Sequence, residues 1–188
     1  MSKLSEAKIL GGIGALLMLF GGFLLPGIGA IIGLILLFIA VKYISNECKD
    51  KSIFDNYLLH FIYIIVSIVS IVIIFFISIG SLTWFSVVES MDFTDFNSVM
   101  DFFAPYIAWW VLALVIGWIF FIFSALYLKK SYNTIAEKTN VSMFRTTGLV
   151  NFIGAITLIV AIGILILLVA RILEIVAYFQ LPDKLPSK

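Results

Sequence analysis

The side chains best suited to polar chemistry lie in one uncharged run, from Tyr57 to Leu82. At about 100° per residue, they fall within an arc of about 80° on a helix. Such a face is typical of a packing seam, in which hydroxyls hydrogen-bond to a neighbouring helix or to their own carbonyls. The alternative is the wall of a water-filled path. We call this face the polar seam, and its members are His60, Tyr63, Ser67, Ser70, Ser78 and Ser81.

His60 is the only histidine, and it lies near the start of this run. We interpret it as a polar anchor, because the apolar runs contain no carboxylate apart from Glu174 near an end. The alternative is a group that senses pH or shuttles a proton. Asn151 is the most polar member of a second stripe, together with Thr147, Gly154 and Ala161. We expect this stripe to face the polar seam, with Asn151 as its candidate partner.

The residue types give no support for a disulfide, a metal site or a catalytic site. With Cys48 as the single cysteine, an intrachain disulfide is excluded, and Cys48 and His60 are too few for a four-ligand zinc site. Asp92 and Asp95 lack the spacing of a calcium loop. There is no catalytic triad, zinc-protease helix or nucleotide-binding loop. We therefore predict no catalytic residue, no metal, no cofactor and no enzymatic activity.

The composition indicates an integral membrane protein. The chain has 188 residues, of which 63% are hydrophobic and 12% charged, whereas about 25% are charged in a typical soluble domain. So few charges cannot cover a water-soluble surface. The net charge of +1 gives no general attraction for nucleic acid. The expected partners are the lipid bilayer and either further copies of the chain or another membrane protein.

The apolar runs predict one all-α membrane domain over residues 1–188, because only paired backbone is stable in lipid. We predict five transmembrane helices, with six as the alternative. The choice depends on the last run, which either crosses once or turns at Gly163. A turn would put Arg171 and Glu174 near mid-membrane, where an arginine costs at least about 2.5 kcal/mol. A single crossing, with Arg171 at the interface and paired with Glu174, is therefore favoured.

The first run contains a helix-breaking Pro26–Gly27 pair, which predicts a short N-terminal hairpin of two helices. The predicted helices span 9–25, 29–44, 57–82, 104–128 and 146–170, with an interfacial helix at 89–103 and a C-terminal tail at 171–188 that lies along the surface.

The basic residues are unevenly distributed between the connections. Of the 12 lysines and arginines, nine lie before the first helix, at the end of the second, or in the connections after the second and fourth. The positive-inside rule places these nine, and the N-terminus, in the cytoplasm of a cell membrane. Five crossings then leave the C-terminus outside.

Small residues at helical spacing predict close helix contacts. Gly29 and Gly33 form a pair spaced by four residues, and we expect the first two helices to pack backbone against backbone. The predicted helix-packing glycines are Gly14, Gly29, Gly33, Gly117 and Gly154.

Two connections that are rich in cations resemble each other. Each begins with a tyrosine, continues through a polar turn and ends with a phenylalanine, at residues 43–54 and 132–144. This likeness predicts a two-fold internal repeat of helix–loop–helix units. The alternative is that short cytoplasmic loops look alike in general. In the second connection, Asn140 is expected to end the preceding helix in the left-handed conformation.

Residues 130–149, which read KSYNTIAEKTNVSMFRTTGL, resemble the signature of a largely archaeal family, domain of unknown function 996. The opening Gly11–Gly14, the Pro26–Gly27 break and the closing stretch 177–182 also resemble that family. The resemblance implies a multi-pass membrane fold and no activity. Some members carry a C-terminal zinc ribbon, which would suit a cytoplasmic C-terminus and six crossings.

From these observations we expect a non-enzymatic structural or accessory subunit of an archaeal cell membrane, acting through helix packing. The alternative is a small permease or channel with a path lined by the polar seam.

Overall fold

The computed structural model describes residues 2–24, 28–79 and 96–186, and the regular structure within them is helical. This confirms the predicted all-α class. The chain divides into two compact units, one formed by Met1–Ile62 with Ile122–Lys188 and the other by Tyr63–Phe121. The helices are α1 (Lys3–Leu24), α2 (Ile28–Glu47), α3 (Lys51–Ile79), α4 (Phe96–Thr139), α5 (Ser142–Thr157) and α6 (Ile162–Phe179), with a short 3-10 turn at Leu158–Val160.

Within the described residues, six helices are long and apolar enough to cross a membrane, which is compatible with a membrane location. Six candidate spans agree with the alternative of six and not with the favoured count of five. The N-terminal pair agrees with the prediction, since α1 ends at Leu24 and α2 begins at Ile28. The Pro26–Gly27 break itself lies outside the described residues.

The extra helix arises because the last apolar run turns back on itself. α5 ends at Thr157, whose hydroxyl donates to the carbonyl of Ile153 at 2.8 Å. Ala161 then adopts a left-handed φ of 62° and starts α6. Gly163 lies in the first turn of α6, where a Cβ atom would overlap the backbone of Gly154 and Leu158. The predicted single helix at 146–170 is therefore wrong, and so is a surface tail beginning at Arg171.

The fourth helix also differs from its prediction. α4 has 44 residues and extends beyond 104–128 at both ends. Residues 96–103 form its first turns, so that part of the predicted interfacial helix is not separate. Residues 89–95 and the acidic Asp92 and Asp95 lie outside the described residues.

The first unit contains the main hydrophobic core. α1 and α2 form one antiparallel pair, α5 and α6 form another, and α1 also packs against α6. The hydroxyl of Ser2 donates to the carbonyl of Asp183, so the two ends of the described chain lie beside each other. The largest fully buried side chains include Leu4, Leu37, Ile53, Tyr132, Phe144 and Tyr178.

The turns that follow α2 and α4 share a feature that supports the observed likeness of their sequences. Lys49 has a φ of 52° and Asn140 a φ of 59°, which confirms the expected left-handed residue after α4. Asp50 caps α3 by accepting from the backbone nitrogen of Ser52 at 3.1 Å, and it pairs with Lys138 at 3.2 Å. The hydrogen bond from the Ser52 hydroxyl, assisted by Lys138, holds the pKa of the Asp50 carboxyl below its usual value. The two-fold repeat itself stays a prediction.

Candidate functional site

In the first unit, the polar-seam residue His60 makes a contact between α3 and α4. His60 is 8% exposed. Its Nδ1 lies 2.7 Å from the hydroxyl of Ser124 and 3.1 Å from the Ser124 carbonyl oxygen. Two turns further along the same helix pair, the hydroxyl of Ser131 donates to the Ile53 carbonyl at 2.7 Å. His60 is thus held between two helices, and its role as a polar anchor at a membrane boundary stays a prediction.

In the second unit, the seam serines are hydrogen-bonded to backbone or to an indole. Ser67 donates to the carbonyl of Gly117 on α4 at 2.7 Å. Ser78 accepts from the Trp110 indole at 3.1 Å and donates to a carbonyl of its own helix. Ser70 donates to its own helix, at the Val66 carbonyl.

Tyr63, the aromatic member of the seam, stacks on Phe120 with ring centroids 6.4 Å apart. Ser81 lies outside the described residues. Asn151 is buried on α5, and its pairing with the polar seam stays a prediction.

The helix-packing glycines lie at tight contacts. A Cβ atom on Gly14 would lie 2.9 Å from the carbonyl oxygen of Gly33, and one on Gly29 would lie 2.8 Å from the Cα of Gly21. These distances are too short for any side chain, so α1 and α2 meet backbone to backbone. A Cβ on Gly117 would lie 2.5 Å from the Ile71 side chain, and one on Gly154 2.9 Å from that of Leu167.

The most unusual polar group was not among the predicted site residues. Glu174 on α6 is 2% exposed, and both of its oxygens are engaged. Oε2 accepts from Nη1 of Arg171 at 2.8 Å, and Oε1 accepts from the Tyr132 hydroxyl of α4. The pairing of Arg171 with Glu174 was expected, but at a membrane interface and without Tyr132. We call Tyr132, Arg171 and Glu174 the buried ion-pair cluster.

Aromatic rings enclose this cluster. Phe144 of α5 packs edge-on against Tyr132 and Tyr178, with centroid distances of 5.3 and 5.2 Å. The Tyr178 hydroxyl is buried without a hydrogen-bond partner among the described residues, and its ring occupies the space that a Cβ on Gly11 would need. The cluster therefore joins α4 to α6, and the rings of Phe144 and Tyr178 beside it add contacts with α5 and α1.

The chemistry of the cluster is that of a stabilised charge pair. A carboxylate removed from water needs a cation and hydrogen-bond donors, and Arg171 and Tyr132 supply them. The sequence does carry a signal for this site, because Glu174 is the only acidic residue inside the last apolar run. The third member of the cluster, Tyr132, is 42 residues from Glu174 in the sequence, so its contact with Glu174 is seen only in the folded structure.

The described part of the chain contains no group of three or more His, Cys, Asp or Glu side chains that could bind a metal ion. Cys48, at the end of α2, is 9% exposed. Burial raises the pKa of its thiol to about 11. A thiol with so high a pKa is a poor nucleophile at neutral pH.

Comparison with known proteins agrees with the resemblance noted in the sequence. The family described as "Protein of unknown function (DUF996)" matches residues 29–172. An uncharacterized protein of Methanocaldococcus jannaschii, MJ1644, is 36% identical over 186 residues, covering 99% of this chain and 97% of its own length. No solved structure matches. The chain therefore belongs to the DUF996 family.

Proposed function

We propose that this chain is a structural or accessory subunit of an archaeal cell membrane, without catalytic activity, that acts through helix packing. The observation that carries the proposal is that side chains of the polar seam are hydrogen-bonded to protein groups. Ser67 and His60 bond to α4, and Ser70 bonds to its own helix, so these groups are occupied by protein. A water-filled path would instead need them free to bind water or solute.

The outer surface of the helices suits this role. Many large apolar side chains are more than half exposed, as in a protein surrounded by lipid or by other membrane helices. Contacts with a membrane partner, or with a second copy of the chain, would use such faces. Examples are Ile31, Phe76, Leu114, Val160 and Leu165, at 60%, 67%, 61%, 66% and 64% exposure.

For the orientation, we propose that both ends of the chain lie in the cytoplasm. Six crossings return the C-terminus to the side of the N-terminus, and the contact of Ser2 with Asp183 supports this. Lys184 and Lys188 then join the nine cytoplasmic cations, so that 11 of the 12 basic residues lie on one side, and Arg171, within α6, is the exception. This distribution follows the positive-inside rule more closely than five crossings do.

Thiol labelling of the polar seam tests the packing role against the permease or channel. In a Cys48→Ser background, Ser67→Cys and Ser78→Cys should react with an aqueous maleimide at least about tenfold more slowly than Lys51→Cys, because a thiol away from water forms little thiolate. Lys51 is the matched control, since it lies exposed at the start of the same helix.

Labelling is measured by mass shift on the protein in membranes. Labelling of Ser67→Cys and Ser78→Cys at the rate of the Lys51→Cys control would contradict the packing role and favour a path along α3. Ser70→Cys, between them, should follow the other two.

A further inference from the structure

An open groove of about 450 Å³ lies on the first unit, between α2 and α3. Its walls are almost entirely apolar and aromatic, with one cation. Phe38 packs edge-on against Phe54 with ring centroids 6.3 Å apart, which fixes the shape of the groove. The lining residues are Phe38, Ile39, Lys42, Tyr43 and Phe54.

The groove lies where the apolar part of these helices meets their charged ends. In α2 no charged residue precedes Lys42, and charges follow at Glu47 and Lys49. In α3 the exposed positions are polar at Lys51 and Asp55 and apolar from Leu58 onward. With the orientation proposed above, this is the depth of lipid headgroups on the cytoplasmic side.

Lys42 carries an uncompensated charge into this groove. Its Nζ lies 4.2 Å from the centroid of the Phe54 ring, which holds the ammonium over the groove wall. Lys42 forms no ion pair with any described residue, whereas Lys138 pairs with Asp50 and Arg145 with Glu137. An anion is therefore the complementary ligand for this position.

We infer that the groove binds one anionic phospholipid, with its phosphate at Lys42 and a hydrocarbon chain along Phe38 and Ile39. Basic pockets between membrane helices on the cytoplasmic side are suited to anionic headgroups. The aromatic walls supply the apolar contact that a lipid chain requires and a free phosphate cannot use. This inference rests on the proposed membrane orientation and adds a specific ligand to it.

Native mass spectrometry of the purified full-length protein in detergent tests the site. The probes are phosphatidylglycerol and phosphatidylcholine with identical chains, which differ in net headgroup charge. Phosphatidylglycerol should bind more tightly, and Lys42→Gln should weaken its binding about fivefold, the factor that corresponds to about 1 kcal/mol for one lysine. Lys42→Arg should retain most of the binding.

Lys51→Gln is the matched control, because Lys51 is an exposed lysine near the same helix ends but does not line the groove. Equal effects of Lys42→Gln and Lys51→Gln, or equal binding of the two lipids, would overturn the inference. A dimer that excludes lipid would show that a second copy occupies the groove and would also overturn it. Thiol labelling of Ser67→Cys is independent of these results, so a failed lipid site is distinguishable from a failed packing role.

Discussion

Arg171→Met is expected to lower the free energy of unfolding by about 3 kcal/mol or more. The substitution keeps the aliphatic part of the side chain but leaves the Glu174 carboxylate, 2% exposed, without its cation. The remaining hydrogen bond from Tyr132 cannot compensate for a charge that is removed from water. The unfolding midpoint in detergent, measured by heat or by SDS titration, gives the change.

The double variant Arg171→Met, Glu174→Gln should recover at least about 1 kcal/mol of this loss, because no unpaired charge stays buried. Arg145→Met is the matched control. It breaks the Arg145–Glu137 pair, whose side chains are 60% and 63% exposed, and should cost no more than about 1 kcal/mol. A loss for Arg171→Met that only equals that of Arg145→Met would mean that the cluster does not stabilise the fold.

Gly33→Leu is expected to destabilise the α1–α2 pair by about 3 kcal/mol or more, the upper range for overpacking. A Cβ at this position would lie 2.7 Å from the carbonyl oxygen of Gly14 and 2.9 Å from the backbone nitrogen of Met18. Backbone cannot move aside as a side chain can, so the helices must separate. Gly29→Leu should act in the same way, because its Cβ would meet the backbone of Gly21.

Leucine favours a helix over glycine by up to about 1 kcal/mol, so any loss of stability must come from packing. Gly12→Leu, on the same helix pair, is the control. The three atoms nearest to its Cβ would all belong to the ring of Phe179, which is 45% exposed and can move toward the surface. Thermal stability in detergent that is the same for Gly33→Leu and Gly12→Leu would contradict backbone contact between α1 and α2.

Local signals in the sequence predicted much of this fold. The Pro26–Gly27 pair predicted two helices, and α1 ends at Leu24 and α2 begins at Ile28. Gly29 and Gly33 mark the contact of these helices, and Asn140 takes the left-handed conformation that ends α4. Each depends on a property of one residue or of a short spacing. The serines of the polar seam were also recognisable, because they share one face of α3.

The turn between α5 and α6 could not be predicted in this way. Ala161, which carries the left-handed φ of 62°, is not a residue type that indicates a turn. The free-energy cost that argued against this turn was the cost of placing an isolated arginine in lipid. In the fold, Glu174 and Tyr132 reduce that cost, and Tyr132 comes from a helix distant in sequence.

The side on which the chain ends tests the six-crossing architecture most directly. Two reporters are each fused after Lys188: a fluorescent protein that is active in the cytoplasm and a phosphatase that is active outside the cell. The same reporters fused in the α2–α3 connection give the cytoplasmic reference. With six crossings, both fusions should give the cytoplasmic signal. A phosphatase signal after Lys188, with a cytoplasmic signal from the reference, would contradict the account.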